Sequence, residues 1–264
     1  MTSRKAIVTL AIGSVYANRF ERYCRAGWTV YAARHGYELV VVTTPLDASE
    51  RARRRSPAWQ KCLVLSIPEL ADCEQVVWID SDICINPASP SIVEDVPPEL
   101  IGAIDEHRFP TLGLRQSLLD TIISCSPEDA ELGARYWREW RDPGEWHSAV
   151  GLPAGQTHIV QTGVLVLSPK HHRELLEHVY YAYDDGGPNY EMRPLSHEIQ
   201  ARCLQHWIDR RFNALLWWMF LERSIAGSHM ESEGKLAEFV RDSFIRNYFL
   251  HFAGAAHLMP MVIA

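Results

Sequence analysis

The stretch Val76-Val77-Trp78-Ile79-Asp80-Ser81-Asp82 decides how the rest of the chain is interpreted. Its four apolar residues show no alternation with polar ones, which is typical of a strand that is buried on both faces, near the middle of a sheet. The acidic tripeptide follows at the point where this strand ends. Ligand sites of open α/β sheets form at the carboxyl ends of the strands. The stretch therefore predicts both a central strand and the place of a site.

The residues before this stretch predict a βαβ unit. An apolar strand over residues 6–12 is followed by one helical face over residues 18–35 and by a second apolar strand over residues 38–43. Ser56-Pro57 then predicts the start of a helix that runs to about residue 65. A strand joined through a helix to another strand implies parallel neighbours and a right-handed crossover. The opening of the chain is thus predicted to be Rossmann-like.

The same alternation of strands and helices continues beyond the stretch. Further strands are predicted over residues 101–104 and 160–167, and Ser168-Pro169 predicts the start of the next helix. The stretches that carry glycine and proline are short enough to be loops, so no linker divides the chain. We predict an α/β fold with a mixed, mostly parallel central sheet flanked by helices, in a single domain.

Composition limits the class of protein. The chain has 264 residues, of which 47% are hydrophobic and 22% are charged. These proportions are typical of a compact globular protein and argue against disorder. The formal net charge of −7 disfavours binding of nucleic acid through a broad basic face. We therefore expect no nucleic-acid partner, and the sequence leaves a homo-oligomer open.

Six cysteines are scattered without a C-x-x-C pair, which indicates neither a zinc knuckle nor a dense disulfide framework. Free thiols fit a reducing compartment, so we predict a cytoplasmic protein. The apolar stretch at residues 6–17 is similar to a signal peptide, but Thr9, Gly13 and Ser14 interrupt it and it is too short to span a membrane. We expect a first strand there, and no transmembrane segment.

Two carboxylates, Asp80 and Asp82, stand two residues apart where the chain leaves the central strand. Their oxygens can converge on one hard divalent cation, and two adjacent acids near a dry core need a positive charge beside them. The alternative is a solvated turn after a strand. His251 could add a nitrogen ligand, which suits Mn²⁺ better than Mg²⁺, although a single histidine is more often structural.

Three separated segments carry a resemblance to a known family. They are Pro57-Ala58-Trp59-Gln60-Lys61 leading to Val77-Trp78-Ile79-Asp80-Ser81-Asp82, then Gln161-Thr162-Gly163-Val164-Leu165-Val166, and finally His251-Phe252-Ala253-Gly254. In order and spacing, over residues 6–257, they resemble the metal-dependent GT-A glycosyltransferases. The most similar groups are the retaining, galactosyltransferase-like ones, which include the glycogenin-like family and the yeast mannosyl- and plant xylosyltransferase relatives.

The resemblance implies a single GT-A domain over residues 1–264, with a nucleotide-binding part over about 1–110 and an acceptor and catalytic part over about 111–264. It implies that Asp80, Asp82 and His251 bind Mn²⁺, with Mg²⁺ as the alternative. The cation would bridge the diphosphate of a UDP-sugar donor. Further residues implied to contact the donor are Leu10, Ala11, Ile12, Gly13, Lys61, Ser81, Gly163, Gly254 and His257. The acceptor is a carbohydrate or another hydroxyl compound, and retention at the anomeric carbon is implied.

The resemblance also supplies three candidate catalytic residues, Gln161, His197 and Glu198. Gln161 stands where relatives often carry an asparagine that touches the donor sugar. Ser196-His197-Glu198 is similar to a segment of acidic and amide residues beside the reacting sugar, and we expect it to begin a helix. The alternatives are a first-turn helix acid for Glu198 and a surface residue for His197.

Other donor-side residues have alternatives of their own. Lys61 is either a basic residue that faces the donor or a surface lysine whose stem covers Trp59. Gly13 fits an ordinary turn between strand and helix equally well. His257 stands where relatives place a lysine against the diphosphate, and an imidazole is charged only below about pH 6.5 unless a phosphate raises its pKa. It is otherwise part of the chain's tail.

On the acceptor side, Asp105 and Glu106 resemble an acidic position of the family, and Trp146 is the aromatic residue expected to contact an acceptor. Two other functions stay open. A haloacid-dehalogenase-like phosphatase also uses Asp-x-Asp with Mg²⁺, but it normally carries the motif on its first strand. The second is a non-catalytic binder of nucleotide sugars that has kept the same fold.

Overall fold

The computed structural model describes residues 4–124, 137–184, 187–225 and 232–262. The strands in these residues are β1 (Lys5–Leu10), β2 (Tyr37–Val42), β3 (Gln75–Ile79), β4 (Ile83–Ile85), β5 (Ile101–Asp105), β6 (Val160–Leu167), β7 (Gln205–Trp207), β8 (Ala214–Leu215) and β9 (Phe249–His251). They form a six-stranded sheet in the order β2-β1-β3-β6-β5-β7 and a three-stranded sheet in the order β4-β9-β8.

Helices surround both sheets. The α-helices in the described residues are α1 (Ser14–Tyr23), α2 (Arg25–His35), α3 (Glu50–Arg54), α4 (Leu112–Ser124), α5 (Pro143–Ser148), α6 (Pro169–Ala182), α7 (Met192–Ala201), α8 (Leu216–Ile225) and α9 (Glu233–Arg246). The 3₁₀ helices are Pro57–Ser66, Pro68–Leu70, Glu106–Arg108, Gly187–Asn189, Arg210–Asn213 and Ala256–Val262. Within the described part of the chain, every helix is too short or too polar to cross a lipid bilayer.

The large sheet is mixed. Strand β1 lies parallel to β2 and β3, whereas β6 runs antiparallel between β3 and β5. The prediction of an α/β fold with a mostly parallel central sheet is confirmed. Because β6 runs the opposite way, its first residues lie at the same edge as the last residues of β3 and β5. That edge is where the acidic tripeptide leaves the sheet.

Strand β3 is buried over its whole length, as its sequence predicts. Val77 and Ile79 pack in one hydrophobic cluster, with β1, α2 and the C-terminal segment. Val76 and Trp78 pack in a second cluster, with the 3₁₀ helix Pro57–Ser66 and α6. Apolar side chains therefore cover both faces, and the polar residues that follow β3 emerge at the edge of a dry sheet.

The small sheet joins the middle and the end of the chain. Strand β4 begins directly after the acidic tripeptide and pairs antiparallel with β9, so that Ile83 lies opposite His251. Strand β8 pairs with the other side of β9 and places Leu215 opposite His251. The backbone N–H of Phe252 also donates to the carbonyl of Asp82 (3.1 Å). Pairing of β4 with β9 thus carries His251 to the acidic tripeptide.

Several predicted boundaries are wrong. The helical face over residues 18–35 is two helices, broken at Cys24, whose thiol donates to the carbonyl of Ser81 (3.5 Å). The helix predicted from Pro57 is a 3₁₀ helix whose residues 59–65 are all buried, so no polar face exists to favour an amphipathic α-helix.

The helix that carries Ser196-His197-Glu198 begins earlier than predicted. Helix α7 starts at Met192, so these three residues lie in its middle and not at its N-terminus. The earlier start is possible because Pro194 falls in the first helical turn, where its missing N–H breaks no backbone hydrogen bond. The interpretation of Glu198 as a first-turn acid is therefore wrong.

Candidate active site

Asp80, Asp82 and His251 meet at the edge of the large sheet. The Nε2 atom of His251 lies 3.4 Å from Oδ1 of Asp82 and 3.9 Å from Oδ2 of Asp80. One ligand atom from each residue lies within 4.8 Å of the others. In the described ranges, no other group of three His, Cys, Asp or Glu residues comes this close together. The His251 side chain is 3% exposed, whereas those of Asp80 and Asp82 are 28% and 27% exposed. The structure thus brings together the three residues predicted to bind metal.

Each charge in this trio depends on the others. Burial alone raises the pKa of Asp82, but the imidazole of His251 outweighs it, and the net shift is downward. Burial lowers the pKa of His251, but Asp82 and then Asp80 reverse the shift and raise it. The Asp82 carboxylate is therefore ionised, and the three side chains converge on a position that favours positive charge. Two carboxylate oxygens and one imidazole nitrogen, open to solvent on one side, fit a divalent cation such as Mn²⁺.

Lys61 is buried beside the trio. Its ammonium lies 2.8 Å from Oε1 of Glu191 and 3.1 Å from Oδ1 of Asp80, and it also donates to the carbonyl of Thr162 (3.2 Å). The alternative of a surface lysine is wrong, because the side chain is only 5% exposed. Burial lowers the pKa of Lys61, but the carboxylates of Asp80 and Glu191 more than offset this and the net shift is upward. The ammonium therefore stays charged.

Two donors hold the same oxygen of Asp80. The indole Nε1 of Trp78 donates to Oδ1 (3.0 Å), the atom that also contacts the ammonium of Lys61. The other oxygen, Oδ2, is the one that faces His251. Fixing one oxygen aims the second at the position between the three ligands, which is how outer-shell partners commonly orient a metal-binding carboxylate.

Glu191 is a residue of the site that sequence motifs did not indicate. It is 3% exposed, it precedes α7, and its Oε2 atom has no hydrogen-bond partner within the described ranges. Burial raises its pKa, and Lys61 acts in the opposite direction. A buried ammonium needs a compensating negative charge. An acid in contact with Lys61 could therefore be expected only once Lys61 was known to be buried.

Asn213 is the second residue that the sequence did not indicate. Its Oδ1 lies 2.8 Å from Nδ1 of His251, and its Nδ2 donates to Oε1 of Gln161 (2.9 Å). The backbone N–H of Gly163 donates to the same oxygen of Gln161. Gln161 and Gly163 are thus beside the trio, and both were predicted from the sequence to belong to the site.

Gly163 lies in direct contact with His251. A Cβ atom built on this glycine would lie 2.5 Å from Cε1 and 2.8 Å from Nδ1 of the imidazole. Such distances are far below van der Waals contact, so the site requires a residue without a side chain at this position. The backbone carbonyl of Gly163 also accepts from the N–H of Asp80 (2.8 Å), which fixes the start of the acidic tripeptide.

The remaining predicted donor-side residues lie around this edge. Leu10 ends β1, Ala11 donates to the carbonyl of Val42 (2.8 Å), and Ile12 and Gly13 lead into α1. Gly13 has φ of 89° and Gly254 has φ of 69°, values that favour glycine. His257 lies in the 3₁₀ helix that follows β9, Ala256–Val262.

His197 and Glu198 do not join the trio. Glu198 accepts from the hydroxyl of Tyr183 and from Arg202 (3.1 Å), and its carboxylate lies 3.6 Å from His178. The imidazole of His197 lies 6.3 Å from that of His147, between ring centroids. Along α7 these residues lie nearly two turns, or about 10 Å, beyond Glu191. Their predicted catalytic role has no geometric support from their contacts.

The acceptor-side predictions have mixed outcomes. Trp146 is fully buried, under the guanidinium of Arg193 at 5.0 Å from the ring centroid, so its prediction as an acceptor contact is wrong. Asp105 pairs with Nδ1 of His158 (2.7 Å) at the end of β5. Glu106 is buried and accepts from the indole of Trp218 (3.0 Å), and burial raises its pKa.

Lys61→Met is expected to destabilise the protein by about 3–5 kcal/mol, because the buried Glu191 loses its cation. The loss of Lys61 also raises the pKa of Glu191, which burial already raises. A carboxyl with a raised folded pKa must take up a proton to stay buried. The loss of unfolding free energy is therefore smallest near pH 4. It grows as the pH rises above the pKa of a glutamate in the unfolded chain, about 4.3. Urea unfolding in EDTA at several pH values measures it.

Two variants complete this experiment. Lys170 is exposed on α6, so Lys170→Met is a matched control and should unfold like the wild type. Adding Glu191→Gln to Lys61→Met removes the unpaired charge and should restore most of the lost stability. Equal stability of Lys61→Met and wild type at pH 8 would contradict the role of Lys61 given above.

Comparisons with known proteins bear on the fold. No protein-family model and no curated protein sequence matches the chain. Among solved structures it is similar to a glycosyltransferase involved in the glycosylation of the major capsid of PBCV-1, with 14% identity, a TM-score of 0.55, and coverage of 97% of this chain and 99% of that one. This likeness shows that the chain has a GT-A-like glycosyltransferase fold, as the resemblance implies.

Two further similar structures are more distant. Mouse xyloside xylosyltransferase 1 has 10% identity and a TM-score of 0.43, over 94% of this chain and 97% of that one. The bifunctional glycosyltransferase WbbM has 11% identity and a TM-score of 0.43, and all of this chain matches 52% of that one. The chain therefore spans about half the length of WbbM.

Proposed function

We propose that this protein is a metal-dependent glycosyltransferase that moves a sugar from a nucleotide diphosphate donor, most simply a UDP-sugar, to a hydroxyl group of a carbohydrate or other acceptor. The observation that carries the proposal is the convergence of Asp80, Asp82 and His251 at the edge of a GT-A-like sheet. This arrangement offers a cation site at the place where such a sheet binds its ligands.

Donor binding is proposed to involve residues at one edge of the large sheet. The turn from Leu10 to Gly13 would receive the nucleoside, since small residues there let backbone amides approach a base. Ser81, Gly254 and His257 would lie around the diphosphate. The donor then belongs mainly to residues 1–110, and residues 111–264 would supply the acceptor side.

When bound, Mn²⁺ or Mg²⁺ would neutralise the negative charge that develops on the departing diphosphate, an effect worth several kcal/mol. The residues of the chain do the positioning. Trp78 and Lys61 hold Asp80 in a fixed orientation. The ammonium of Lys61 contacts Asp80, Glu191 and Thr162, which occupies its three N–H groups. We therefore propose that Lys61 acts on the donor through Asp80 and not by direct contact.

Gln161 is the candidate catalytic residue that geometry favours. Hydrogen bonds of Asn213 connect the carboxamide of Gln161 to His251. His197 and Glu198 instead lie farther along α7. Its Oε1 accepts two hydrogen bonds from the chain, so the amide nitrogen is the atom left to contact a donor sugar. Retention at the anomeric carbon follows from the family resemblance and belongs to the proposal.

Nucleotide sugars tested by thermal unfolding should identify the donor. With Mn²⁺ present, the correct UDP-sugar at about 100 times its Kd adds about 2.7 kcal/mol of stability, or roughly 5–10 °C in Tm for a chain of this size. The shift should vanish in EDTA, and release of UDP should accompany incubation with an acceptor. A shift without any release of UDP would indicate the non-catalytic binder.

The phosphatase alternative has its own signature. Phosphate release from p-nitrophenyl phosphate with Mg²⁺, together with no Tm shift from any nucleotide sugar, would overturn the proposal. The glycosyltransferase is expected to leave this substrate intact, because nothing in its mechanism requires a phosphorylated aspartate.

A further inference from the structure

We propose that Asn213 is a positioning residue that fixes the tautomer and the orientation of His251, so that the lone pair of Nε2 faces the position between Asp80 and Asp82. This inference rests on the proposed function, because it concerns the same cation site. It adds a residue that neither the sequence motifs nor the comparisons assign.

The direction of each hydrogen bond follows from one backbone group. The N–H of Gly163 can only donate, so the atom of Gln161 that it contacts is the carbonyl oxygen, Oε1. The Asn213 atom that contacts this oxygen must then be the NH₂ group, at 2.9 Å. The amide of Asn213 therefore presents its oxygen to His251, at 2.8 Å from Nδ1.

An amide oxygen only accepts, so Nδ1 of His251 carries the hydrogen. In a neutral imidazole this leaves Nε2 without a hydrogen and with its lone pair exposed. Nε2 is the atom that faces both carboxylates, at 3.4 Å from Asp82 and 3.9 Å from Asp80. A backbone N–H thus determines, through two side-chain amides, which nitrogen of His251 is available to a cation.

Burial makes this arrangement hard to replace. Asn213 is fully buried, His251 is 3% exposed and Gln161 is 7% exposed, so bulk water does not reach these contacts. Asn213 also directly precedes β8, which pairs with β9, and the two strands place Leu215 opposite His251. The amide is therefore held by the same backbone pairing that holds the imidazole.

The test compares three proteins: wild type, Asn213→Leu and Asn213→Asp. Mn²⁺ affinity is measured by EPR, and coordination by a histidine nitrogen is detected as ¹⁴N coupling in pulsed EPR. Leucine removes the acceptor for Nδ1–H, so Mn²⁺ affinity should fall about 10- to 100-fold and the ¹⁴N coupling should be lost. Aspartate still accepts from Nδ1–H, so Asn213→Asp should keep the ¹⁴N coupling.

Three outcomes are informative. Equal loss in the leucine and aspartate variants would overturn the proposal, since a purely structural role predicts it. Wild-type affinity and coupling in Asn213→Leu would overturn it as well. Absence of ¹⁴N coupling in the wild type would instead show that His251 does not bind the cation, and the proposed cation site itself would fail.

Folding is checked by thermal unfolding of each variant in EDTA. If Asn213→Leu does not fold, Gln161→Leu replaces it, because this change leaves Asn213 in place but removes the acceptor that orients its amide. The proposal then predicts a weaker ¹⁴N coupling in Gln161→Leu than in the wild type, and an unchanged coupling would overturn it.

Discussion

Asp82→Asn is expected to lower Mn²⁺-dependent release of UDP from the donor by about 100- to 1,000-fold, with the fold intact. The two side chains have nearly the same shape, so the change removes charge and not volume. Asp82 is ionised in the protein because His251 lowers its pKa. Without this charge, a bound cation would retain only Asp80 and His251 as ligands from the chain, and stabilisation of the leaving diphosphate would be largely lost. Initial rates of UDP release at several Mn²⁺ concentrations measure the effect.

The matched control is Asp95→Asn, which removes an exposed carboxylate in the segment between β4 and β5. It should have wild-type rates and wild-type affinity for Mn²⁺. Asp82→Asn should unfold in EDTA at or slightly below the wild-type temperature, because the amide loses the attraction of His251 that lowers the pKa of Asp82. A rate for Asp82→Asn within threefold of the wild type would contradict the proposed site.

The central strand was predictable because its amino-acid composition indicates directly that it is buried on both faces. A strand of Val, Trp and Ile without alternation has to be buried on both faces, and β3 is buried throughout. The same reasoning correctly placed β6 over Val160–Leu167. The carboxyl end of β3 was then the expected place for ligand chemistry, and the acidic tripeptide lies there.

The meeting of His251 with the acidic tripeptide was not derivable from periodicity. It depends on the pairing of β4 with β9, two strands of three residues each that lie far apart in the chain. Strands so short carry almost no pattern of their own. The family resemblance supplied this contact, and the register Ile83 to His251 gives its structural cause.

The roles of Glu191 and Asn213 could not be predicted from the residues next to them in the sequence. Each matters because of one partner distant in the chain, Lys61 for Glu191 and His251 for Asn213. Neither lies in a motif, and a buried acid or amide is recognisable only once its partner is known to be buried. Lys61 was predicted to belong to the site, but its burial between two carboxylates followed from tertiary packing alone.

Gly163→Ala is expected to abolish binding of Mn²⁺ with a histidine ligand and to lower UDP release by about 100-fold or more. The added Cβ would overlap Cε1 and Nδ1 of His251 and would lie 2.9 Å from Oε1 of Gln161. His251 has no room to retreat, because β9 is held between β4 and β8. The imidazole must therefore rotate or shift, and its Nε2 atom leaves the two carboxylates. Mn²⁺ titration with ¹⁴N detection by pulsed EPR measures the loss.

Overpacking in a strand also destabilises the fold, by about 1–3 kcal/mol, so activity alone is not a sufficient readout. Gly102→Ala provides the matched control. Gly102 lies in β5, and a Cβ there would lie 2.9 Å from Cβ of Val166, on the side chain of a core residue and away from His251. Both variants should lose comparable stability, but only Gly163→Ala should lose nitrogen coordination of Mn²⁺. If Gly102→Ala lost it equally, the effect would arise from general loosening of the sheet, and the contact between Gly163 and His251 would have no special role in the site.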